Sequence, residues 1–398
     1  MKRFLFLSVM ILLAFAFIAE EAAAIPAFAR KYRMSCSTCH QPFPRLKEFG
    51  DDFAGNGFVL ENEEAPRYYV DTGDETLDLI RDFPIAIRLD TWAMYNTESG
   101  RDLDFQTPYV MKLLSGGELA KNFSYYVYFY LDEYGDVAGI DDAFVQFNDL
   151  FGQDLDLYIG QYSLSDPLMK SELRTTYEPY KIYKSRVAGS NIRLSYDRGF
   201  FVTYGGLPTG TGITFEMANG NGIGGADGDH NFDNDANNVF GLHLSQDVGG
   251  LFSLGGFGLM GKEKNVNENE VMYVGVDAGM DIGPIALSLQ YMSRTDSNPL
   301  FIGTNQLEVV TNGIIAEAVY LPNGDKSKWF TTLLFNMVDC DSDDHTTWIN
   351  NGYGPMDYQT ATVHWGYLMR RNVRLGIEVR QDLENDETRA GIGIVTAF

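Results

Sequence analysis

From Phe83 to the last residue, apolar and polar side chains alternate with a period of two, and this pattern restricts the fold more than any other feature of the chain. Ile85, Ile87, Leu89, Thr91, Ala93 and Tyr95 alternate with Arg88, Asp90 and Trp92. Phe123, Tyr125, Val127, Phe129 and Leu131 alternate with Ser124 and Asp132, and Val373, Leu375, Ile377 and Val379 with Arg374, Glu378 and Arg380. The last run, Ala390, Ile392, Ile394, Thr396 and Phe398, ends on an aromatic residue. Alternating segments of about ten residues predict an outer-membrane β-barrel, apolar toward lipid and polar toward the lumen.

The connections carry a second, independent signal. Long ones are predicted at 220–238, 262–269, 294–310 and 339–357, separated by short turns such as Asp247-Val248-Gly249-Gly250, Asp281-Ile282-Gly283-Pro284 and Arg370-Arg371-Asn372. Short periplasmic turns and longer external loops follow the barrel rule, and the count closes at about sixteen strands with both ends periplasmic. Residues 164–198 read as a long loop folding into the lumen; a strand over Asn191 to Tyr196 would instead shift the count by two. A soluble β-sandwich explains the alternation, but neither the loop asymmetry nor the terminal Phe398.

The chain begins as an export signal. Lys2 and Arg3 precede an apolar run from Phe4 to Ile18, and Ala22 and Ala24 form a small-residue cleavage site before Ile25. The run is shorter than the roughly 20 residues that a membrane-spanning helix requires. The predicted organisation is a signal peptide over 1–24, a haem segment over 25–65, a linker over 66–83 and a barrel over 84–398. A formal net charge of −25 excludes a nucleic-acid partner, because phosphate binding needs a basic surface.

The chemistry sits in Cys36-Ser37-Thr38-Cys39-His40. C-x-x-C-H is the attachment pattern for c-type haem, with two thiols for covalent bonding and an imidazole for the iron. A zinc site would need a second ligand pair, yet Cys340 stands alone. A redox dithiol would need a βαβ context, which is absent here. A short helix is predicted from Arg30 to Cys39, broken by Pro42 and Pro44, and another from Leu46 to Ala54 before Gly55 and Gly57. Phe43, Phe49, Phe53 and Phe58 offer an apolar wall, and so small a segment needs a covalent staple to hold a fold.

For the second axial position, Met34 is the sulfur candidate within the segment, though close to Cys36. Alternation puts Met94, His243, Met292 and His364 on the lumen face, where a lining role without metal is the simpler reading. A water-ligated or open iron is the other alternative. Tyr126, Tyr128 and Tyr130 also face inward, for packing a plug or forming a relay.

Ala27-Phe28-Ala29-Arg30, Cys36 to His40, Phe43-Pro44-x-Leu46, Phe49-Gly50, Phe53 and Gly57-Phe58 together resemble the fused cytochrome–porin family, outer-membrane monohaem c-type cytochromes joined to a porin-like barrel. Asp142-Ala143-Phe144-Val145-Gln146-Phe147 and Tyr158-Ile159-Gly160-Gln161-Tyr162 resemble the phosphate-selective porin superfamily. The first resemblance implies one covalent haem c, an extracellular donor such as ferrous iron, and a periplasmic c-type cytochrome or other carrier as partner. Either flow runs inward from that donor or outward to an external acceptor. A different class stays open, an anion-type diffusion porin in which the haem segment is a structural plug or sensor.

Two acidic loops, one with Asp227, Asp229, Asn231, Asp233 and Asp235 and one with Asp339, Asp341, Asp343, Asp344 and His345, read as solvated external loops more readily than as cation collectors. Phe232 stands where a calcium loop needs glycine. Lys170, Arg174, Lys181, Lys184 and Arg186 give the 164–190 stretch the opposite sign. They would either form an anion-attracting constriction or hold the acidic plug residues Asp51, Asp52, Glu61, Glu63 and Glu64.

Overall fold

The computed structural model describes residues 27–60, 73, 84–97, 103–233, 235–250, 252–304, 306–342 and 345–398. The proposed signal peptide and Glu61, Glu63, Glu64, Asp343 and Asp344 lie outside the described residues, as does the linker apart from Gly73.

Sixteen antiparallel strands form one closed barrel in which each pairs with its sequence neighbours. They are β1 Ile85–Asn96, β2 Asp104–Ala120, β3 Phe123–Glu133, β4 Gly139–Phe147, β5 Leu155–Ser163, β6 Tyr196–Tyr204, β7 Thr211–Ala218 and β8 Val239–Val248, then β9 Phe252–Lys264, β10 Glu268–Ile282, β11 Ile285–Asp296, β12 Val309–Tyr320, β13 Trp329–Cys340, β14 Tyr358–Arg370, β15 Val373–Asp382 and β16 Glu387–Ala397. Closure is made by β1 and β16. The terminal residue takes part: Phe398 N donates to Ile87 O at 2.8 Å and Ile87 N to Phe398 O at 2.7 Å.

The alternation predicted from sequence sorts side chains as expected. On β12, Val309, Thr311, Ile315, Glu317 and Val319 are buried, while Asn312, Ile314, Ala316 and Ala318 face outward. On β10 the outward set is Met272, Val274, Val276, Ala278, Met280 and Ile282, a continuous apolar stripe. Outward aromatic pairs mark the short-turn end: Tyr320 lies 5.8 Å from Trp329 and Trp365 6.1 Å from Tyr367. An exposed apolar band edged by aromatic rings is what a lipid-facing barrel surface requires.

Two expectations need correction. The connection predicted as long at 262–269 is a tight turn over 265–267, because the charged strand ends stay in the ladder and Lys262 pairs with Glu270 across it. The helix predicted over Arg30–Cys39 is two helices, α1 Ala27–Tyr32 and α2 Cys36–Cys39. Arg33 adopts φ 54° between them, and Ser35 restarts the chain by accepting the Ser37 N–H at 3.4 Å. A third helix, α3 Glu48–Gly55, follows as predicted, two residues late at its start.

The lumen differs most from a simple aqueous channel. Residues 164–195 enter it, as expected of a long inward loop, and β6 starts only at Tyr196, so no extra strand forms. This segment contains the short helix α4 Lys181–Lys184, whose Ile182 and Tyr183 are buried with Tyr162, Leu164, Tyr180, Ile192 and Leu194 against the wall residues Tyr273, Met292, Ile315 and Leu334. Wall side chains also hold its backbone. Glu378 accepts N–H groups from Tyr177 at 2.6 Å and Glu178 at 2.9 Å, and Asn336 donates to Pro179 O at 3.1 Å. Gly313 permits the approach, since a Cβ there would lie 2.5 Å from Ile182.

Two outcomes follow from this packing. Val276→Arg, at an outward position 57% exposed, should cost about 2–4 kcal/mol in lipid-reconstituted urea unfolding, the expected penalty near the bilayer midplane, with Val276→Leu close to neutral. Gly313→Val should displace Ile182 and render residues 164–195 protease-sensitive while the strand content by circular dichroism stays unchanged.

Candidate haem site

The segment carrying the C-x-x-C-H motif spans the short-turn mouth of the barrel. His40 and Leu46 form a single bridge, Lys47 N donates to Cys39 O at 3.0 Å and Gln41 N to Arg45 O at 2.8 Å, so residues 39–47 fold back as a tight hairpin. Gly50 then brings α3 onto the motif. A Cβ at Gly50 would sit 2.4 Å from the Cys39 carbonyl oxygen, a contact no larger residue satisfies without displacement.

Contacts on opposite sides anchor this plug. Phe43 packs against Val395 and Ala397, and Arg374 Nη1 donates to its carbonyl at 3.1 Å. Across the lumen, Phe58 stacks on Tyr126 of β3 at 5.3 Å, and Tyr158 OH donates to Gly55 O at 3.4 Å. Lys47 reaches Asp325 Oδ2 at 3.2 Å on the turn between β12 and β13. The segment's own rings pack together, with Phe28 stacked on Phe58 at 4.6 Å and edge-on to Phe53 at 5.6 Å.

Between plug and wall lies a cavity of about 390 Å³. Cys36, Cys39 and His40 line it together with Met34, Phe43, Phe53 and Phe58 from the segment. The barrel contributes Arg88, Lys112, Tyr126, Tyr128, Asp142 and Phe144, and the inward segment contributes Asp166, Lys170 and Glu172. The volume falls within the roughly 300–1,000 Å³ of ordinary cofactor sites.

The donor set fits a covalent haem on observations internal to this cavity. His40 Nδ1 lies 2.8 Å from Pro44 O, which fixes the ring and leaves Nε2 for a metal. Burial lowers the His40 pKa, only partly opposed by hydrogen bonds to the Pro44 and Arg45 backbone, favouring the neutral ligating imidazole. Burial raises the pKa of both thiols; nearby Arg371 opposes this for Cys36 and Lys47 for Cys39. Asp142 Oδ1 is buried with no hydrogen-bond partner, a polar atom that an occupant of the cavity would meet.

Of the axial candidates, Met34 lines this cavity. Met94 is buried against Gly391, and Met292 belongs to the apolar cluster under residues 164–195. His243 Nε2 lies 2.9 Å from Asp277, and His364 Nδ1 3.0 Å from Glu378. These four are lumen-lining groups with partners of their own. Tyr126, Tyr128 and Tyr130 climb one wall, and Lys112 sits over the rings of Tyr128 and Tyr130 at 4.9 and 4.2 Å.

The cations of residues 164–190 do not form a bare ring. Lys170 lines the cavity, where its charge acts on Asp51, while Glu172 pairs with Lys112 and accepts from Tyr130 at 2.9 Å. Glu172 and Glu178 belong to no sequence motif, and Glu378 stands out in the sequence only as one polar-face residue of an alternating run. The acidic external loop folds on itself, with Asp227 accepting from Asp229 N at 2.8 Å and Asn231 N at 2.9 Å. Among the described residues, no group of three or more His, Cys, Asp or Glu side chains is arranged to hold a metal ion. Cys340 is buried beside Val309 and Trp348, which sits in α5 Thr346–Asn350.

No family model and no curated protein matches the chain. Solved structures do. An anion-selective porin from Comamonas acidovorans is 13% identical with a TM-score of 0.58, over 80% of this chain and 99% of that one. The outer-membrane channel DcaP of Acinetobacter baumannii is 13% identical with a TM-score of 0.57, over 80% and 97%. OmpF of Salmonella typhi, solved with daunomycin, is 12% identical with a TM-score of 0.56, over 79% and 97%. At such low identity the likeness concerns the fold alone, and that fold is the sixteen-stranded barrel of outer-membrane porins.

Proposed function

We propose that this protein is an outer-membrane cytochrome–porin that passes electrons one at a time between an extracellular donor and a periplasmic carrier. The apolar outer band places the barrel in lipid, and the short turns face the periplasm by the porin rule. The observation that carries the reading is the C-x-x-C-H motif facing a walled cavity inside the barrel. Cys36 and Cys39 would tether one haem c, and His40, oriented by the Pro44 carbonyl, would ligate its iron. Bound there, the haem supplies a one-electron iron couple, tuned by its axial ligands and surroundings.

The chain's own contribution is placement and exclusion of water. Phe43, Phe53 and Phe58 with Tyr126 and Tyr128 give the site much of its apolar wall, and Met34 is the one thioether among the described lining residues. The barrel would hold this enclosure at one face of an insulating bilayer. Ferrous iron is the donor that the family resemblance implies.

The fold neighbours, named as porins and channels, favour a second reading over electron transfer: an anion-type diffusion porin with the segment as plug or sensor. The packed lumen of residues 164–195 supports the first reading, since it opposes free diffusion.

Purified protein separates the two. Electron transfer predicts that ferrous iron reduces the haem band within the mixing time of a stopped-flow experiment, with little conductance in planar bilayers. Anion conductance with an unresponsive band would establish the diffusion porin instead. Cys36→Ser with Cys39→Ser should abolish the c-type pyridine haemochrome band while barrel folding persists. Gly50→Val, by pushing α3 off the motif, should lower haem loading severalfold in the same spectrum.

A further inference from the structure

Cations gather at one place on the short-turn end. The turns over 321–328 and 371–372 share a recess with Cys36, Ser37, His40, Gln41 and Pro42. Around it lie Lys47, Lys326, Lys328, Arg370 and Arg371, all exposed except the half-buried Lys47. Among the described residues of the two turns, Asp325 is the one acid; Lys47 Nζ lies 3.2 Å from its carboxylate, and Arg371 Nη1 donates to its carbonyl at 3.3 Å. The other acids at this end include Asp149 and Asp154 on the connection between β4 and β5, Asp247 and Asp281 at the ends of β8 and β10, and Glu48, Asp51 and Asp52 on α3, where Glu48 directly follows Lys47.

This clustering stands out in a chain with 30 Lys and Arg against 55 Asp and Glu. The acidic loops with Asp227, Asp229, Asp233, Asp235 and Asp341 are at the opposite end of the barrel. A hydrocarbon core of roughly 30 Å separates the two ends, several times the Debye length of about 8 Å at physiological salt. A soluble partner arriving over this recess therefore meets the cations of the two turns, with the acids of the opposite end screened.

We propose that this basic rim is the docking surface for a soluble one-electron carrier whose own metal edge is ringed by carboxylates. The inference rests on the haem reading above. It adds the face that the partner uses and the charge that the partner carries. His40 lines the recess beside these cations, so a carrier docked over it faces the motif. Transient redox encounters bury under about 1,200 Å² and rely on charge complementarity for rate and orientation, which suits a rim of this kind. With haem held by Cys36, Cys39 and His40, the exchange would move one electron from ferrous iron to the carrier's oxidised metal, with no bond made or broken.

The test uses the full-length protein in nanodiscs of uncharged lipid, with acidic plant plastocyanin as probe. Binding is measured directly, and oxidation of the dithionite-reduced haem is followed by stopped flow. Binding should weaken and oxidation should slow, each at least tenfold, on raising salt from low to physiological strength and in Lys326→Glu/Arg370→Glu/Arg371→Glu. The corresponding triple Gln variant should fall between. Equal binding and equal rates in the wild type and both variants would overturn the proposal. If the wild type carries no haem yet binds plastocyanin with this charge dependence, the electron-transfer reading fails while the docking surface stands.

Discussion

A bilayer offers no water to an unpaired backbone group, and this constraint governs the whole molecule. Sixteen strands satisfy it by pairing each with two neighbours, and the seam is closed by β1 with β16, down to the exchange between Ile87 and Phe398. Once the wall is closed, only the lumen can accept polar or irregular backbone. The N-terminal segment and residues 164–195 are found there or at its mouth, each held in part by inward side chains of the wall.

Those inward side chains explain why the lumen is filled. Glu378, Asn336, Glu263 and Arg294 bind backbone or hydroxyl groups of residues 164–195, while Ile315, Leu334 and Met292 receive its apolar side chains. From the opposite end, the N-terminal segment leans on Tyr126, Tyr158 and Val395. A cavity is left where the two segments and the wall face each other. The thiols and imidazole of the motif lie on its border, held by the 39–47 hairpin.

Much of this was legible in the sequence because barrels encode their faces residue by residue. The outward stripe of β10 and the inward position of His243 and His364 follow from period-two counting alone. The five residues from Cys36 to His40 carry their chemistry without reference to fold. Other features depend on partners far apart in the chain. The 265–267 turn was hidden because Lys262 and Glu270 resemble loop residues until each has the other as neighbour. The break at Arg33 is closed locally, by Met34 N donating to Ala29 O at 3.1 Å, whereas the burial of Glu178 and Glu378 arises from tertiary contacts that no local pattern records. The packing of Ile182 onto Gly313 belongs to the same class.

Electron transfer through this barrel requires covalent attachment of haem at its mouth. Mass spectrometry of the mature protein from outer-membrane fractions, intact and after digestion, tests that most directly. One haem should add to the intact mass and map to the peptide holding Cys36 and Cys39. An unmodified peptide with both thiols free would contradict it.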